Sequence, residues 1–343
     1  MSDESRAPRV LGWDVGGANT KAALVDGERC RSLIRAYPVW EAPDRLRDVL
    51  SGIARELGPV DRVGATLTAE LADCFQTKEQ GVAFVLRALE SVFPRNPLRV
   101  FTTEGRFCSL EEALRAPSSV ASANWAATAH FLASEAGSAL LVDVGSTTSD
   151  VIPIVAGRVA ACGRTDPERL MNGELVYTGV VRTPVCAIAR TVPFRGRRCP
   201  VAAELFAQAG DVHLWLGTLV PGDYGARTPD GHGATRPEAG ARLARSICGD
   251  STLLEEEEIT RIAEHLALRQ VRTIGAGMSR VRRRLGDDAP SLVLGAGLGA
   301  FLARAAARRA GLDYRPLSDR LGEPASRALP AVAVARLLQE AIG

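Results

Sequence analysis

The chain has 343 residues, of which 46% are hydrophobic; this length suggests two domains, and this composition argues against disorder. The formal net charge is only +2, so neither nucleic acid nor a membrane surface is indicated as a partner. The N-terminal residues are polar and no apolar run approaches the ~18–20 residues that span a bilayer, so we expect a cytoplasmic protein.

The first half of the chain predicts a three-stranded meander followed by alternating helices and strands. The predicted strands are residues 10–15, 22–25, 31–39, 62–67 and 98–101. The predicted helices are residues 43–57, 78–93 and 117–136. The Asp26-Gly27 pair marks the first hairpin. This order is that of a ribonuclease-H-like lobe, which we assign to residues 1–137.

The second half restarts with the same meander. Its predicted strands are residues 139–144, 150–155 and 158–164, and a polar run, TDPERLMNGELVYTGVVRT, follows at residues 165–183. The predicted helices are residues 201–219, 237–248, 255–284 and 331–342. Residues 221–237, rich in Gly, Pro and Asp, are predicted to form a loop. We therefore predict a second ribonuclease-H-like lobe at residues 138–343, with a helical insertion at about 200–285 and a closing C-terminal helix.

The cysteine and histidine spacings do not indicate a disulfide or zinc framework. The seven cysteines are widely spaced with no CxxC, and the four histidines form no HxxxH or HExxH motif. We expect reduced thiols and no His-ligated transition metal. The arginine-rich run at residues 280–284 is expected to be a solvated helix face.

Two stretches repeat one pattern, an apolar strand that ends in Asp-Val-Gly and continues into small and hydroxyl residues. They are residues 10–21 (VLGWDVGGANTK) and residues 140–150 (LLVDVGSTTSD). Glycine leaves backbone N–H groups open to an anion because no Cβ blocks the approach, so both loops are predicted to bind phosphate. The expected phosphate-binding residues are Gly16, Gly17, Asn19, Thr20, Lys21, Gly145, Ser146, Thr147 and Thr148.

The acidic residues of the two loops are candidate metal ligands. Asp14 and Asp143 end the two strands, where a carboxylate can hold a hydrated Mg²⁺. Asp150 is either a further group at the metal or a strand-end cap.

A third element, residues 291–301 (SLVLGAGLGAF), predicts an apolar strand, a Gly-rich turn and a helix start, where a nucleotide or another phosphate can bind. Gly295, Gly297 and Gly299 are the candidate nucleotide-like positions, although such turns also occur for packing. In this order the three elements resemble the acetate and sugar kinase, heat-shock chaperone and actin superfamily. The resemblance implies an α/β fold of two ribonuclease-H-like lobes around a central cleft, with phosphates gripped from either side.

Longer stretches resemble the hydantoinase A/oxoprolinase-related proteins of tetrahydromethanopterin-linked one-carbon metabolism. They are GWDVGGANTKAA, TAELADCF, SANWAATA, VDVGSTTSDVIPI and TDPERLMNGELVYTGVVRTPV, and the resemblance as a whole spans about Val10 to Ala300. The resemblance is specific, because GANTK and TGVVRTPV are not shared by kinases at large. In archaea such proteins join an aminomethylfuran-methyl diphosphate to the phenol of a γ-glutamyl-tyramine and release pyrophosphate, on the way to methanofuran. In methylotrophic bacteria the counterparts serve methylofuran, in which tyrosine replaces tyramine.

The resemblance implies a Mg²⁺-dependent transferase that forms an aryl ether. A furfuryl diphosphate ionises readily, because the furan oxygen donates electrons to the departing CH₂ carbon, so the protein chiefly supplies a sink for the diphosphate charge. A base must also take the proton of the phenol. The candidate catalytic residues are Lys21, Glu70, Asp73, Asp166 and Glu174, although Glu174 could equally cap an element.

Three residues are candidates for binding the substrates. Arg182 could bind a substrate carboxylate or form a structural ion pair. Tyr177 could stack on the furan or phenol ring or lie in the core. Asn124, which is hard to explain in a helix interior, is expected to face the cleft, whereas Trp125 is expected in the core.

Two other functions fit the same three elements. One is an ATP-dependent small-molecule kinase or a hydantoinase/oxoprolinase-like ATP hydrolase, and the other is a nucleotide-gated scaffold. We expect Mg²⁺ as cofactor and no requirement for ATP. The expected partners are small-molecule substrates, without nucleic acid or membrane, and a homodimer is left open.

Overall fold

The computed structural model of the chain describes residues 7–342. These residues form two compact units, and the fold contains two large β-sheets, each with parallel and antiparallel strand pairs. The first unit contains the described residues up to Ala139, the segment Ile152–Arg169 and the described residues from Leu317 onward. The second unit contains Leu140–Val151 and Leu170–Pro316. None of the helices within residues 7–342 combines the length and apolar character needed to span a bilayer. The polar N-terminus used in the sequence argument lies, up to residue 6, outside the described residues.

The first unit is built on a six-stranded sheet of order β3-β2-β1-β4-β5-β6. Its strands are β1 (Val10–Gly16), β2 (Asn19–Asp26), β3 (Arg29–Ala36), β4 (Arg62–Thr68), β5 (Leu98–Phe101) and β6 (Phe107–Ser109). The first three strands are antiparallel, whereas β4 and β5 run parallel to β1. The helices between these strands and beyond them are α1 (Leu46–Leu57), α2 (Lys78–Val92), α3 (Leu110–Arg115) and α4 (Asn124–Ala136).

The second sheet has the order β10-β8-β7-β13-β14, and β9 also pairs with β8. Its strands are β7 (Ala139–Val144), β8 (Ser149–Val155), β9 (Arg158–Val159), β10 (Leu175–Val176), β13 (Leu292–Ala296) and β14 (Asp313–Pro316). A separate hairpin consists of β11 (Thr191–Phe194) and β12 (Arg197–Pro200). The β7-β8-β9 meander beside a parallel β13 repeats the plan of the first sheet, which confirms the predicted pair of ribonuclease-H-like sheets.

Nine further helices complete the described part of the chain. They are α5 (Asp166–Asn172), α6 (Val185–Ile188), α7 (Ala209–Trp215), α8 (Arg236–Arg245), α9 (Glu256–Leu285), α10 (Ala300–Arg309), α11 (Ser318–Leu321), α12 (Glu323–Arg327) and α13 (Leu329–Ile342). The helices α7, α8 and α9 lie in the predicted helical insertion. The seven cysteines are all free thiols.

The two faces of the first sheet are covered by different helices. On one face Leu11, Trp13 and Val15 pack in a core with residues of α1 and α2. On the other face α13 packs on Gly12, where a methyl group would come within 2.1 Å of a backbone oxygen of α13. Successive residues of a strand point to opposite faces, which explains why a glycine stands between two large apolar residues in β1.

The C-terminal helix belongs to the first unit, so the predicted boundary at residues 137/138 is wrong for this helix. Besides the contact with Gly12, Arg336 of α13 donates hydrogen bonds of 2.7 and 2.8 Å to the carbonyl oxygens of Gly27 and Glu28 in the β2–β3 turn. The segment Ile152–Arg169 also groups with the first unit. Hydrophobic periodicity predicted the helix itself but carries no information about which sheet an amphipathic helix covers.

Three predicted elements are shorter than expected. The helix at 117–136 begins only at Asn124, because Ser122 adopts a left-handed φ of 51° and Ala121 forms a bridge with Leu67. The strand at 158–164 is limited to β9. The helix at 201–219 is limited to α7, which starts at a capping box formed by Gln208 and Asp211.

Candidate active site

The first predicted phosphate loop carries an ion pair built by strand pairing. Asp14 of β1 and Lys21 of β2 are register partners, and Lys21 Nζ lies 3.2 Å from Asp14 Oδ2. The Asp14 residue is 2% exposed, whereas the Lys21 side chain is 23% exposed. Thr66 of β4 pairs with Asp14 on its other side, and its buried hydroxyl has no hydrogen-bond partner among the described residues. Directly opposed residues share a sheet face, so a carboxylate, an ammonium and a hydroxyl lie side by side near the carboxyl ends of β1 and β4.

The backbone of the loop between β1 and β2 is fixed by close packing and hydrogen bonds. A methyl group on Gly16 would come within 2.6 Å of the Asn19 carbonyl oxygen, so this turn requires glycine. The carbonyl oxygens of Gly17 and Ala18 accept hydrogen bonds of 2.9 and 3.0 Å from backbone N–H groups that follow β3. The backbone of the loop is therefore anchored through its oxygens.

A cluster of two carboxyl groups and a serine follows β4 in the same unit. Ser122 Oγ lies 2.6 Å from Glu70 Oε1 and 2.9 Å from Asp166 Oδ2. The bridge between Leu67 and Ala121 brings Ser122 to the end of β4, although 52 residues separate it from Glu70. Two of the four carboxylates proposed as the base are thereby brought together, with a hydroxyl between them.

The two carboxyl groups of this cluster have different surroundings. Asp166 Oδ2 lies 2.6 Å from Lys78 Nζ, and Asp166 Oδ1 lies 3.7 Å from the guanidinium of Arg169, which stacks 4.6 Å above the ring of Trp125. Glu70 is 1% exposed, and its Oε2 has no hydrogen-bond partner among the described residues. Burial raises the pKa of Glu70 to about 7, against the lowering effects of its hydrogen bond with Ser122 and of the Lys78 charge.

The ion pair and the carboxyl cluster lie at the ends of adjacent strands. Gly16 of β1 is the register partner of Thr68 of β4, and Glu70 follows two residues later. A methyl group on Gly16 would lie 3.3 Å from Thr68 Oγ1, so the two strand ends are in close contact. A predicted phosphate loop and a carboxyl cluster therefore occupy neighbouring positions within one unit, at the edge where sheets of this kind bind ligands.

The second predicted phosphate loop, in the other unit, packs against the glycine-rich turn. Gly297 has a φ of +82°, and a methyl group on it would come within 2.3 Å of Asp143 Oδ1. The N–H of Gly299 donates to the carbonyl of Val144 at 2.8 Å, and a methyl group on Gly295 would collide with the ring of Tyr314. Close packing therefore accounts for all three glycines of the turn without a nucleotide.

The polar motif at residues 165–183 ends by bracing the second loop. The backbone N–H groups of Val181 and Arg182 donate to the carbonyl oxygen of Ser146 at 3.0 and 2.9 Å. Gly179 fits so closely under the loop that a methyl group there would come within 2.5 Å of the backbone of Ser146 and Thr147. The sequence motif thus shapes the backbone of the predicted phosphate loop.

A buried polar chain supports this motif from the helical insertion. Gln270 of α9 donates through Nε2 to Thr178 Oγ1 and to the Gly179 carbonyl oxygen, both at 2.9 Å. Its Oε1 lies 2.9 Å from His213 Nε2, and His213 Nδ1 lies 3.1 Å from Thr218 Oγ1. Burial lowers the pKa of His213 to about 4, so this imidazole is neutral near pH 7.

The remaining candidate residues belong to neither the ion pair nor the carboxyl cluster described above. Glu174 is fully buried in an ion pair with Arg284, with Nη2 2.6 Å from Oε1, whereas Asp73 is exposed. Tyr177 is 62% exposed, so it is not a core residue. Asn124 is the first residue of α4 and not in a helix interior, because the helix starts seven residues later than predicted. Trp125 is buried, as expected.

Asp150 and Arg182 lie close to the second loop. Asp150 is buried in β8 and pairs in register with Leu175 of β10. Arg182 is half-buried and follows Val181 along the loop-bracing segment.

Sequence reasoning missed Lys78, Ser122 and His213. A signal for Lys78 was present in the composition, because the chain has only two lysines, Lys21 and Lys78, among its 42 basic residues. Both lysines form ion pairs with candidate site carboxylates. Lysine is a compact point charge that binds phosphate and, unlike arginine, can lose its proton when it is buried.

The acidic residues fit a magnesium ion that is shared with phosphate and water. Among residues 7–342 no group of three or more His, Cys, Asp or Glu side chains gathers into a complete metal cage. Mg²⁺ typically keeps several waters and takes one or two protein carboxylates together with substrate phosphates. A single carboxylate such as Asp14, beside the hydroxyl of Thr66, is a donor set of that kind.

Comparison with solved structures shows the fold class of the chain. The nucleotide-free structure of an ATP-dependent acetone carboxylase superposes with a TM-score of 0.58 at 12% sequence identity, covering 96% of this chain and 70% of that one. Together with the repeated sheet topology, this places the chain in the fold class of actin-like ATPases and sugar kinases.

The family follows from sequence similarity. The hydantoinase/oxoprolinase family model matches residues 61–341. A (4-{4-[2-(gamma-L-glutamylamino)ethyl]phenoxymethyl}furan-2-yl)methanamine synthase of Methanocaldococcus jannaschii is 36% identical over 336 residues, 96% of this chain and 98% of the relative. A synthase of the same name from Methanococcus vannielii is 41% identical over 124 residues, 36% of this chain and 55% of that protein. The chain belongs to the hydantoinase/oxoprolinase family, and it is an enzyme.

Proposed function

We propose that this enzyme acts in methanofuran or methylofuran biosynthesis as a transferase. It condenses an aminomethylfuran-methyl diphosphate with the phenol of a tyrosine- or tyramine-type acceptor and releases pyrophosphate. The name of the M. jannaschii relative describes a phenoxymethyl-furan with an aminomethyl group, which contains the aryl ether that such a condensation forms. The observation that carries the proposal is the adjacency of Gly16 and Thr68, which brings the predicted phosphate loop beside the carboxyl cluster.

The phosphate loop supplies the charge that the leaving group needs. Breaking the bond between the furfuryl carbon and the diphosphate oxygen leaves an additional negative charge on pyrophosphate. Lys21, already 3.2 Å from Asp14 and partly exposed, can move its ammonium group onto that charge. Asp14, with Thr66 beside it, would hold Mg²⁺, whose charge also offsets that of the diphosphate when it is bound.

The carboxyl cluster supplies the second requirement, removal of the phenol proton. A phenol has a pKa of ~10, so little phenolate is present near pH 7. A base that removes the phenol proton in the transition state makes the oxygen a better nucleophile. Glu70, with a pKa of about 7, is suited to accept a proton at neutral pH. This division of labour needs no nucleotide, in keeping with a glycine turn whose glycines are required for packing.

The proposal is tested with purified protein, Mg²⁺, the aminomethylfuran diphosphate and tyramine, tyrosine or their γ-glutamylated forms. We expect an aryl ether by mass spectrometry and one pyrophosphate per ether, without added nucleotide. Product that forms only with ATP, or a phosphorylated acceptor without ether, would instead identify an ATP-dependent kinase. The four acceptors, assayed separately, determine which phenol is the substrate.

A further inference from the structure

The hydroxyl of Ser122 lies between two carboxyl groups but can donate a hydrogen bond to only one of them at a time. Ser122 Oγ is within hydrogen-bond distance of Glu70 Oε1 and of Asp166 Oδ2, but a hydroxyl has only one proton to donate. When Glu70 is ionised, Ser122 donates to it over the shorter distance of 2.6 Å. When Glu70 is protonated, its own O–H can donate to Ser122, which then donates to Asp166 at 2.9 Å. The cluster is hydrogen-bonded in both protonation states of Glu70.

The charged groups around Ser122 make its two carboxylate partners unequal. Asp166 faces two cations, Lys78 from α2 and Arg169 from its own helix, at 2.6 and 3.7 Å. Glu70 receives a side-chain hydrogen bond from Ser122 and a hydrogen bond from its own backbone, and the charges of Lys78 and Asp166, which have opposite signs, act on it. Opposite charges nearby favour an ionised carboxylate, whereas burial favours a protonated one. A proton that enters the cluster therefore resides on Glu70.

Accessibility decides how a proton can reach Glu70. Glu70 is 1% exposed, whereas Ser122 is half-buried, with its hydroxyl between the two acids. The backbone holds the serine in this position at the strained φ of 51°, a conformation that non-glycine residues adopt infrequently. Glu70 is equally fixed, because Gly81 of α2 packs so closely on its backbone that a methyl group there would come within 2.5 Å.

We infer that Ser122 relays the phenol proton of the acceptor to Glu70, while Lys78 and Asp166 position the serine hydroxyl. The inference rests on the proposed ether-forming function. In the step, the phenol O–H bond breaks and its proton passes to Ser122 Oγ, while the proton of Ser122 passes to Glu70 Oε1. The oxygen electron pair forms the bond to the furfuryl carbon, and the electrons of the broken carbon–oxygen bond leave on pyrophosphate. Glu70 then returns its proton to solvent through the same hydroxyl.

The relay predicts that an acceptor already ionised needs no base. A ring-nitrated tyramine-type acceptor is a much stronger acid than the unmodified phenol and is largely phenolate at pH 8. With the unmodified acceptor, Ser122→Ala and Glu70→Gln should each slow ether formation by about 10²–10⁴-fold, whereas the loss with the nitrated acceptor should stay under about tenfold. A variant that loses equally with both acceptors would show that its residue only supports the structure, and this result would overturn the relay.

Control variants near the cluster distinguish loss of the proton relay from a general loss of structure or activity. Ser118→Ala removes an exposed hydroxyl four residues before Ser122, and Glu79→Gln removes an exposed carboxylate beside Lys78. Both should leave the rates with both acceptors unchanged. The wild-type kcat/KM with the unmodified acceptor should rise with pH through about pH 7, as Glu70 ionises, and Glu70→Gln should lose this dependence. A wild-type profile without such a rise would count against Glu70 as the proton acceptor.

A measurement without substrates tests the cluster independently of the reaction. The infrared carbonyl band of a protonated carboxylic acid should disappear as the free protein is titrated through about pH 7, and it should be absent in Glu70→Gln. In Ser122→Ala the band should shift in frequency, because the hydrogen bond to the serine is lost. A wild-type protein that makes no ether but shows this band overturns the proposed function and the relay's role in it. Ether formation without the band overturns the relay alone.

Discussion

Lys21 and Asp14 face each other across β1 and β2, with the lysine Nζ 3.2 Å from the aspartate Oδ2. The antiparallel register makes this pair, since a slip of one residue would turn Lys21 to the opposite face of the sheet. The pair combines a buried acid with a partly exposed base, so the lysine has room to move towards a ligand while the carboxylate is fixed. This relationship leads to the first two predictions.

Lys21→Ala should weaken the hold on the diphosphate. Loss of a charge-assisted hydrogen bond costs roughly 1.5–3 kcal/mol, so kcat/KM for the diphosphate should fall by about 10- to 150-fold. The protein should still fold, because the Lys21 side chain is partly exposed. Pyrophosphate release measures the rate. Lys21→Arg keeps the charge but not the ammonium geometry, so its kcat/KM should lie between those of the wild type and Lys21→Ala. An unchanged kcat/KM in Lys21→Ala would reduce Lys21 to a counter-ion of Asp14.

Asp14→Asn should weaken the enzyme's response to Mg²⁺. A neutral amide is a poorer ligand for this cation than a carboxylate, and a loss of about 1.4 kcal/mol would raise the half-saturating Mg²⁺ concentration about tenfold. Initial rates over a Mg²⁺ titration measure the shift. The matched control is Asp26→Asn at the far end of β2, where the carboxylate pairs with Arg9. If both variants respond to Mg²⁺ like the wild type, Asp14 is not the ligand.

Glu70→Gln should remove a pH dependence of stability. The pKa of Glu70 is about 7 in the folded protein and ~4.3 in the unfolded chain, so between these values the folded state binds more protons. The free energy of unfolding of the wild type therefore falls as pH rises through this window, by on the order of 3 kcal/mol from this group. Glutamine resembles the protonated acid, so the variant should gain on the wild type between pH 5 and pH 8.

Urea unfolding of both proteins at several pH values measures that difference. Because other groups titrate alike in the two proteins, only the difference between their curves reports on Glu70. Parallel curves would mean that Glu70 ionises normally despite its burial.

Gly297→Ala should destabilise the second unit more than the same substitution at another glycine with positive φ. The added methyl group would meet Asp143 Oδ1 at 2.3 Å and the Val144 carbonyl oxygen at 2.5 Å. The control is Gly286→Ala, where φ is also positive at +59° but nothing lies within 4 Å. Both variants carry the backbone strain of ~1–2 kcal/mol, and overpacking should add roughly 1–3 kcal/mol at Gly297 alone. Equal unfolding midpoints for the two would show that the turn near Asp143 yields easily.

The sequence predicted the repeated part of the fold. Each meander is encoded by an apolar run, a glycine turn and a second apolar run that are neighbours in the chain, and β7 was predicted to the residue. The two loops predicted to bind phosphate are recognised for the same reason, since their glycines and hydroxyl residues are contiguous in the sequence; their binding of phosphate stays a prediction. Such local patterns report which face of a strand is buried and where the chain turns.

The tertiary structure decided which residues form the carboxyl cluster. Glu70 and Asp166 both stood among four candidate bases, but only the bridge from Leu67 to Ala121 brings Ser122 between them. Lys78 reaches Asp166 across 88 residues of sequence, and no periodic pattern encodes a contact of that kind. Burial, which gives Glu70 its raised pKa, exists only once α2 packs on the end of β4.

The C-terminal helix shows the same division. Its apolar periodicity gave a helix close to Leu329–Ile342, but the surface it covers depends on the groove at Gly12, more than 300 residues earlier. An amphipathic helix specifies that it must bury one face, and any sheet with an open apolar face can meet that need. The close approach that glycine permits in β1 and the hydrogen bonds of Arg336 to the β2–β3 turn select the first sheet for α13, and both are properties of the folded chain.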